Sequence, residues 1–157
     1  MSQPQLQTNA PSITFEHIGV VVHDLEAVAQ FFVALGFQRH DAFDVGGPWV
    51  DRINGLEGTQ VTGMFVTAPD GSGALELIEF HEPTRERDET NLPANAHGFR
   101  HIAYRVSEIE TVVARIRAAG YDLAGEIVNY QDIFLLAYVR GPEGLIVELA
   151  QPLSDGS

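Results

Sequence analysis

Apolar residues along this chain follow two rhythms, and the same succession of rhythms occurs twice. Residues 13–22 form an apolar, β-branched run that predicts a strand. The run stops at His23-Asp24, where Asp24 is placed to cap a helix from Leu25 to about Leu35, and Gly36 is placed to end it. In the second passage Ser107 and Glu110 have the spacing of a capping box. Ile109, Val112, Val113 and Ile116 make an apolar stripe at helical spacing, and Gly120 closes it. After each helix the pattern predicts three further strands. In the first half they fall at about 38–43 or 49–53, then 60–67, then 73–80; in the second, at about 122–128, 134–140 and 145–150. Residues 81–98 between the halves are polar and contain proline, with alternating charges at 85–89, which suits a surface connector.

The two halves also agree residue by residue. F-E-H-I-G-V-V-V-H-D-L-E from Phe15 runs in register with F-R-H-I-A-Y-R-V-S-E-I-E from Phe99, so that His17 falls on His101, Val22 on Val106, Leu25 on Ile109 and Gly36 on Gly120, at a constant offset of 84 residues. Further along, Pro69-Asp70-Gly71 leads into Leu75-Glu76-Leu77, and Pro142-Glu143-Gly144 leads into Val147-Glu148-Leu149. Allowing one residue of slack after the turn, Glu76 corresponds to Glu148. Each unit therefore offers one imidazole and one carboxylate, and two such units paired about a pseudo-twofold axis assemble a four-ligand metal site.

Strand alternation puts these groups on apolar faces. His17 shares its face with Phe15 and Gly19, His101 with Phe99 and Ala103, and Glu148 with Ile146 and Ala150. A carboxylate left unpaired in such surroundings is costly. One histidine alone is as readily a hydrogen-bonded core residue; four candidate ligands at repeat-equivalent positions favour metal. His17, Glu76, His101 and Glu148 form an N₂O₂ set suited to one divalent ion per site, Zn, Ni, Co, Fe or Mn. Open positions on such an ion admit a small-molecule substrate with vicinal oxygens, and the ion polarises a carbonyl and stabilises the enediolate or enolate left by removal of a neighbouring proton. Glu79 lies three residues beyond Glu76 and reads as a solvated carboxylate, while His23, His40, His81 and His97 have no repeat partners and read as surface residues. Phe31, Phe32, Phe37, Phe43, Trp49, Phe65, Phe134 and Tyr138 are read mostly as core, with Phe134 and Tyr138 as candidates to line a substrate cavity. Arg105, on the His101 face, is a candidate contact for a substrate anion.

Composition narrows the setting. The 157 residues suit one domain over 12–152, made of a unit at 13–80, the connector 81–98 and a second unit at 99–152, with tails at 1–11 and 153–157. Nine basic against 22 acidic residues give a net charge of −13, which disfavours nucleic acid and anionic membranes as partners. The chain has no cysteine, so thiolate ligands and disulfides are excluded. Residues 1–11 lack the features of a signal peptide and no apolar run has the length of a membrane span, so a cytoplasmic location is expected.

The order βαβββ, twice, with F-E-H-I-G-V-V-V-H-D-L-E, L-E-L-I-E-F, G-F-R-H-I-A-Y-R-V and R-G-P-E-G-L-I-V-E-L, resembles the vicinal-oxygen-chelate superfamily, which comprises glyoxalases, methylmalonyl-CoA epimerases, extradiol dioxygenases and bleomycin- or fosfomycin-resistance proteins. The resemblance covers residues 13–152 and implies an α+β fold in which the two units form a curled, barrel-like mixed sheet with helices outside. It implies that His17, Glu76, His101 and Glu148 are the metal ligands, that Glu148 or Glu76 acts as catalytic base, and that the chain pairs as a homodimer, with sites within one chain or shared between two. The activity implied is that of a metal-dependent lyase or isomerase, akin to glyoxalase I or the epimerase. A ring-cleaving dioxygenase and a metal-free antibiotic-binding protein are the alternatives. Val21 stands where glyoxalase I carries a glutathione-binding arginine, and Glu57 is the weak candidate for the epimerase's second catalytic glutamate.

Overall fold

The computed structural model describes residues 15–85 and 92–153. The expected tail at 1–11, all but the first residue of the expected tail at 153–157, the first two residues of the expected opening strand, and all but the first residue of the charged stretch 85–89 lie outside the described residues. The order of elements is β1 (Ile18–Val22), α1 (Leu25–Leu35), β2 (Gln38–Arg39), β3 (Phe43–Gly46), α2 (Pro48–Asn54), β4 (Gln60–Thr67), β5 (Ala74–Glu82), β6 (Ile102–Arg105), α3 (Ile109–Ala118), β7 (Asp122–Leu123), β8 (Val128–Tyr130), β9 (Phe134–Arg140) and β10 (Ile146–Pro152). No helix among the described residues is long and apolar enough to cross a membrane.

The repeat becomes two five-stranded sheets of matching topology. In the first the order is β1-β5-β4-β2, with β3 also on β4; in the second it is β6-β10-β9-β7, with β8 also on β9. β1 runs parallel to β5 and β6 parallel to β10, while the other pairs are antiparallel. Each sheet is therefore mixed, and each has its first strand at an edge with no second partner strand among the described residues. Neither sheet closes into a barrel.

α1 and α3 cover one face of their respective sheets and meet each other, with the Arg115 guanidinium donating to the Leu35 carbonyl at 2.9 Å. A single core results, in which Val28, Phe31 and Phe32 of α1, Val113 and Ile116 of α3, Leu75 and Leu77 of β5, and Val147 and Leu149 of β10 are all buried. Burial of a side chain such as Phe31 contributes about 1.5–3 kcal/mol. Phe31 also packs edge-on against Tyr121, with ring centroids 4.9 Å apart. The opposite face of each sheet, which carries Glu76 or Glu148, points away from this helix layer.

Three local expectations are corrected. Residues 49–53 are helical, not a strand: Pro48 starts α2, left-handed Gly55 ends it, and Val50 turns inward. The Ser107–Glu110 capping box does not form. Glu108 takes the cap position without a side-chain bond, and the Ile109 amide donates instead to Gln151 Oε1 at 2.7 Å. Glu79 is not a solvated carboxylate: it is half-buried and accepts from the Leu25 amide at 3.3 Å. Glu79 and Gln151 occupy equivalent places three residues beyond Glu76 and Glu148, so both units satisfy the first amide of their helix from their last strand. Asp24 caps α1 as expected, accepting from the Ala27 amide at 2.9 Å, and Gly36 ends it in the left-handed conformation.

Candidate metal centre

His17 stands just before β1 and His101 just before β6, while Glu76 and Glu148 lie within the neighbouring parallel strands. Alternation along β5 sends Leu75 and Leu77 into the core and Glu76 to the opposite face; along β10 it does the same for Val147, Leu149 and Glu148. The result is one His–Glu pair on the outer face of each sheet. His17 Nε2 lies 3.1 Å from Glu76 Oε2, and His101 Nε2 lies 3.0 Å from Glu148 Oε2.

The surroundings of the pairs match as well. Glu76 is flanked by Gly19 and Phe65, and Glu148 by Ala103 and Tyr138. Phe65 meets His17 edge-on with centroids 5.5 Å apart, and Tyr138 lies against His101 at 5.0 Å. A small residue beside each carboxylate leaves room above the sheet, and an aromatic ring braces each imidazole. Tyr138 is thus beside the candidate ligands. Phe134 lies on the same face of β9, four residues from Tyr138, at the end of the strand opposite Pro152. Arg105 is opposite Ala150 and so on the Glu148 face. Phe65 carries no individual role in the sequence reading, yet it is the strand-for-strand counterpart of Tyr138, a correspondence available only once β4 and β9 are aligned.

A divalent ion fits the donor chemistry of each pair. Two donors at right angles on an ion with bonds of about 2.1 Å stand about 3.0 Å apart, the separation seen in both pairs. Each pair alone supplies two ligands. Among the described residues no set of three or more His, Asp or Glu side chains gathers in a way that could hold a metal ion, so the four candidates do not converge within one chain. His17 and His101 do border one cavity of about 780 Å³, which runs between the edge of β1 and the β6–β10 region and is lined also by Val21, Phe99 and Glu143. Val21 is 65% exposed and Phe99 fully exposed at this edge.

The remaining candidates fall elsewhere. His23, His40, His81 and His97 are exposed, with His40 on the Thr67 hydroxyl at 3.0 Å and His81 on that of Thr62 at 2.7 Å. Glu57 is exposed in the turn after α2. Of the aromatic set Phe31, Phe32 and Phe37 are buried, whereas Trp49 is 55% exposed on α2. Tyr104 faces the core against Phe37, and burial pushes its phenol pKa up.

Comparisons with known proteins agree with this fold. No curated protein sequence matches the chain. A glyoxalase family protein from Bacillus cereus is 30% identical, with a TM-score of 0.86 over 95% of this chain and the whole of the other. The fosfomycin resistance protein FosX from Listeria monocytogenes, solved with Mn(II) and dihydroxypropylphosphonic acid, shares the fold at 14% identity and a TM-score of 0.58, over 91% of each chain. Glyoxalase I from Zea mays shares it at 19% identity and a TM-score of 0.63, over 87% of this chain and 46% of its own. The model of the glyoxalase/bleomycin resistance protein/dioxygenase superfamily matches residues 16–138, and the chain belongs to that superfamily.

Proposed function

We propose that the chain is a metal-dependent lyase or isomerase that works as a homodimer, each site joining His17 and Glu76 of one copy to His101 and Glu148 of the partner subunit. The observation behind this reading is the presence of two equivalent His–Glu pairs, each at the spacing of neighbouring ligands, that do not gather into one set within the chain. Pairing the open edges of β1 and β6 across two copies gives both edges a partner and covers Val21 and Phe99. A divalent ion held by the four side chains supplies Lewis acidity to a substrate carbonyl.

The chain's own groups do the rest. His17 and His101 would hold the ion through Nε2, and Phe65 and Tyr138 brace the two rings. The substrate lies over Gly19 and Ala103, where no long side chain blocks approach. The Glu148 carboxylate, through the oxygen not committed to the ion, takes the proton from the carbon next to the carbonyl and returns it at the adjacent carbon, while Glu76 balances charge. Two carboxylates are one more than an oxygen-activating triad uses, which favours proton transfer over ring cleavage; the full donor set favours an enzyme over a metal-free binder.

Subunit complementation tests the reading. His17→Ala and His101→Ala chains, co-expressed and isolated as a mixed dimer, contain one site with both histidines lost and one fully wild type. Each variant alone retains no complete site. The mixed dimer is expected to regain about half of the wild-type tight metal content and of the solvent-deuterium exchange, as twofold symmetry requires. Exchange is followed over 2-oxoaldehyde–thiol adducts, 2-substituted acyl thioesters and 2-hydroxyketones. Metal in the wild type without recovery in the mixed dimer refutes the shared site. A sedimentation mass near 17.2 kDa refutes the dimer, and absence of tightly bound metal in wild type purified without chelator refutes the centre itself.

A further inference from the structure

The two half-sites match in their ligands and differ in the floor beyond them. Going two residues from Glu76 along the outer face of the first sheet reaches Ile78, with Val21 beside it on β1. The same step from Glu148 reaches Ala150, with Arg105 beside it on β6 and Leu136 on β9. Val21 and Arg105 are repeat-equivalent, at the same offset of 84 residues as the histidines. The fold is thus content with valine at this place, and the guanidinium is a chemical difference between the halves.

Arg105 is exposed and has no hydrogen bond or ion pair among the described residues. That is unusual in a chain with 22 acidic residues. Arg39 is paired with Glu26 and Arg117 with Asp122, while Arg100 and Arg140 donate to the Leu92 carbonyl and Arg115 to that of Leu35. Arg52, on the exposed surface of α2, also makes no hydrogen bond or ion pair among the described residues, and it lies off this face. Between Glu148 and Arg105 the floor is made by Ala103 and Ala150, so a short carbon chain lying on it meets no bulky side chain. Two residues of strand are about 7 Å, within reach of an arginine side chain. Arg105 also borders a smaller cavity of about 470 Å³ with Ser72, Ser107 and Asp70; the Asp70 carboxylate already accepts from the Ser72 amide at 2.9 Å.

We infer that Arg105 selects substrates that carry a second, remote acid group, a carboxylate or a comparable oxyanion, two or three carbons from the oxygens that meet the metal centre. The inference rests on the proposed centre for the position of those oxygens. The first half, with Val21, Ile78 and Phe65, takes the uncharged part of the molecule. The chain's net charge of −13 repels a dianion at long range. A preference for the dianion must therefore come from a local cation.

Calorimetric titration of the full chain reconstituted with Mn(II) tests this with two probes that share a 2-oxo acid head, 2-oxoglutarate and 2-oxopentanoate. The wild type is expected to bind 2-oxoglutarate about tenfold to a hundredfold more tightly, the range for one charge-assisted hydrogen-bonded pair. Arg105→Met is expected to remove that advantage while leaving 2-oxopentanoate binding within about twofold, and Arg105→Lys to restore part of it. Metal content is measured on the same samples. Equal binding of the two probes, binding of neither, or an equal loss of both in Arg105→Met with metal content unchanged overturns the inference. Failure of the wild type to retain Mn(II) while it still favours 2-oxoglutarate, with that preference lost in Arg105→Met, overturns the metal centre and leaves the charge preference of Arg105 standing.

Discussion

Glu143 joins the two units, and its replacement has an ordering of effects that ordinary residue preferences would not suggest. Its Oε2 accepts from the His23 amide at 2.8 Å and its Oε1 from the Asp24 amide at 2.8 Å, so the turn of the second unit holds the β1–α1 loop of the first. Glu143 itself sits at φ 56°, ψ 31°, a left-handed conformation that costs a residue with a side chain about 1 kcal/mol and costs glycine little. Glu143→Ala loses both bonds and keeps the strain. With each bond contributing about 1 kcal/mol, as for an ordinary hydrogen bond, because the junction is solvent-accessible, the loss is about 2 kcal/mol. Glu143→Gly loses the same bonds and relieves the strain, for a net loss of about 1 kcal/mol. For a chain of this length those losses lower Tm by about 4–8 °C and 2–4 °C respectively. Urea denaturation followed by circular dichroism, with the slope checked for constancy, measures both. Glycine falling at or below alanine refutes the strain argument, and alanine within about 0.5 kcal/mol of wild type refutes the bonds.

Gly141→Ala places a Cβ 2.7 Å from Phe31 Cε1 and 2.9 Å from Cζ, in a core where Phe31 has no exposed surface to move toward, and is expected to cost about 1–3 kcal/mol in the same denaturation assay; an unchanged midpoint would show that the core yields there. The amides of Thr59 and Gly58 hold the Asp51 carboxyl below its usual value of 3.8, the Thr59 amide most strongly. Because the folded pKa is the lower one, this contribution is present above the unfolded value and is lost as pH falls through the folded one. Asp51→Asn is therefore expected to flatten the loss of stability with falling pH below about 4, and an identical acid slope in the variant would refute the assignment.

The elements that were legible in the sequence are those whose cause is local. Helices α1 and α3 follow from side-chain periodicity, and strands at 60–67 and 134–140 from β-branched and aromatic runs between turn residues; all four sit where those patterns place them. Residues 49–53 mislead because a short apolar run satisfies helix and strand alike, and Pro48 with Gly55 decides the matter from outside it. The missing capping box has a different origin. Ser107 and Glu110 have the right spacing, yet the acceptor at the Ile109 amide comes from Gln151, 42 residues away, and no local pattern carries that information. The same division runs through the candidate site. Alternation puts each glutamate on the face away from the core, and the repeat matches each histidine to its counterpart, so the two pairs follow from short-range order. Which two pairs meet is a matter of how α1 and α3 pack. A tandem repeat promises two equal halves around an axis, but it places no constraint on whether that axis relates halves of one chain or of two. Here α1 and α3 pack together on the core side of the sheets, opposite the faces bearing Glu76 and Glu148, and the two His–Glu pairs stay separate within the chain. If the proposed shared centre holds, a second copy completes the ligand set, and metal affinity is expected to fall on dilution together with the dimer, with affinity unchanged across protein concentration as the refuting result.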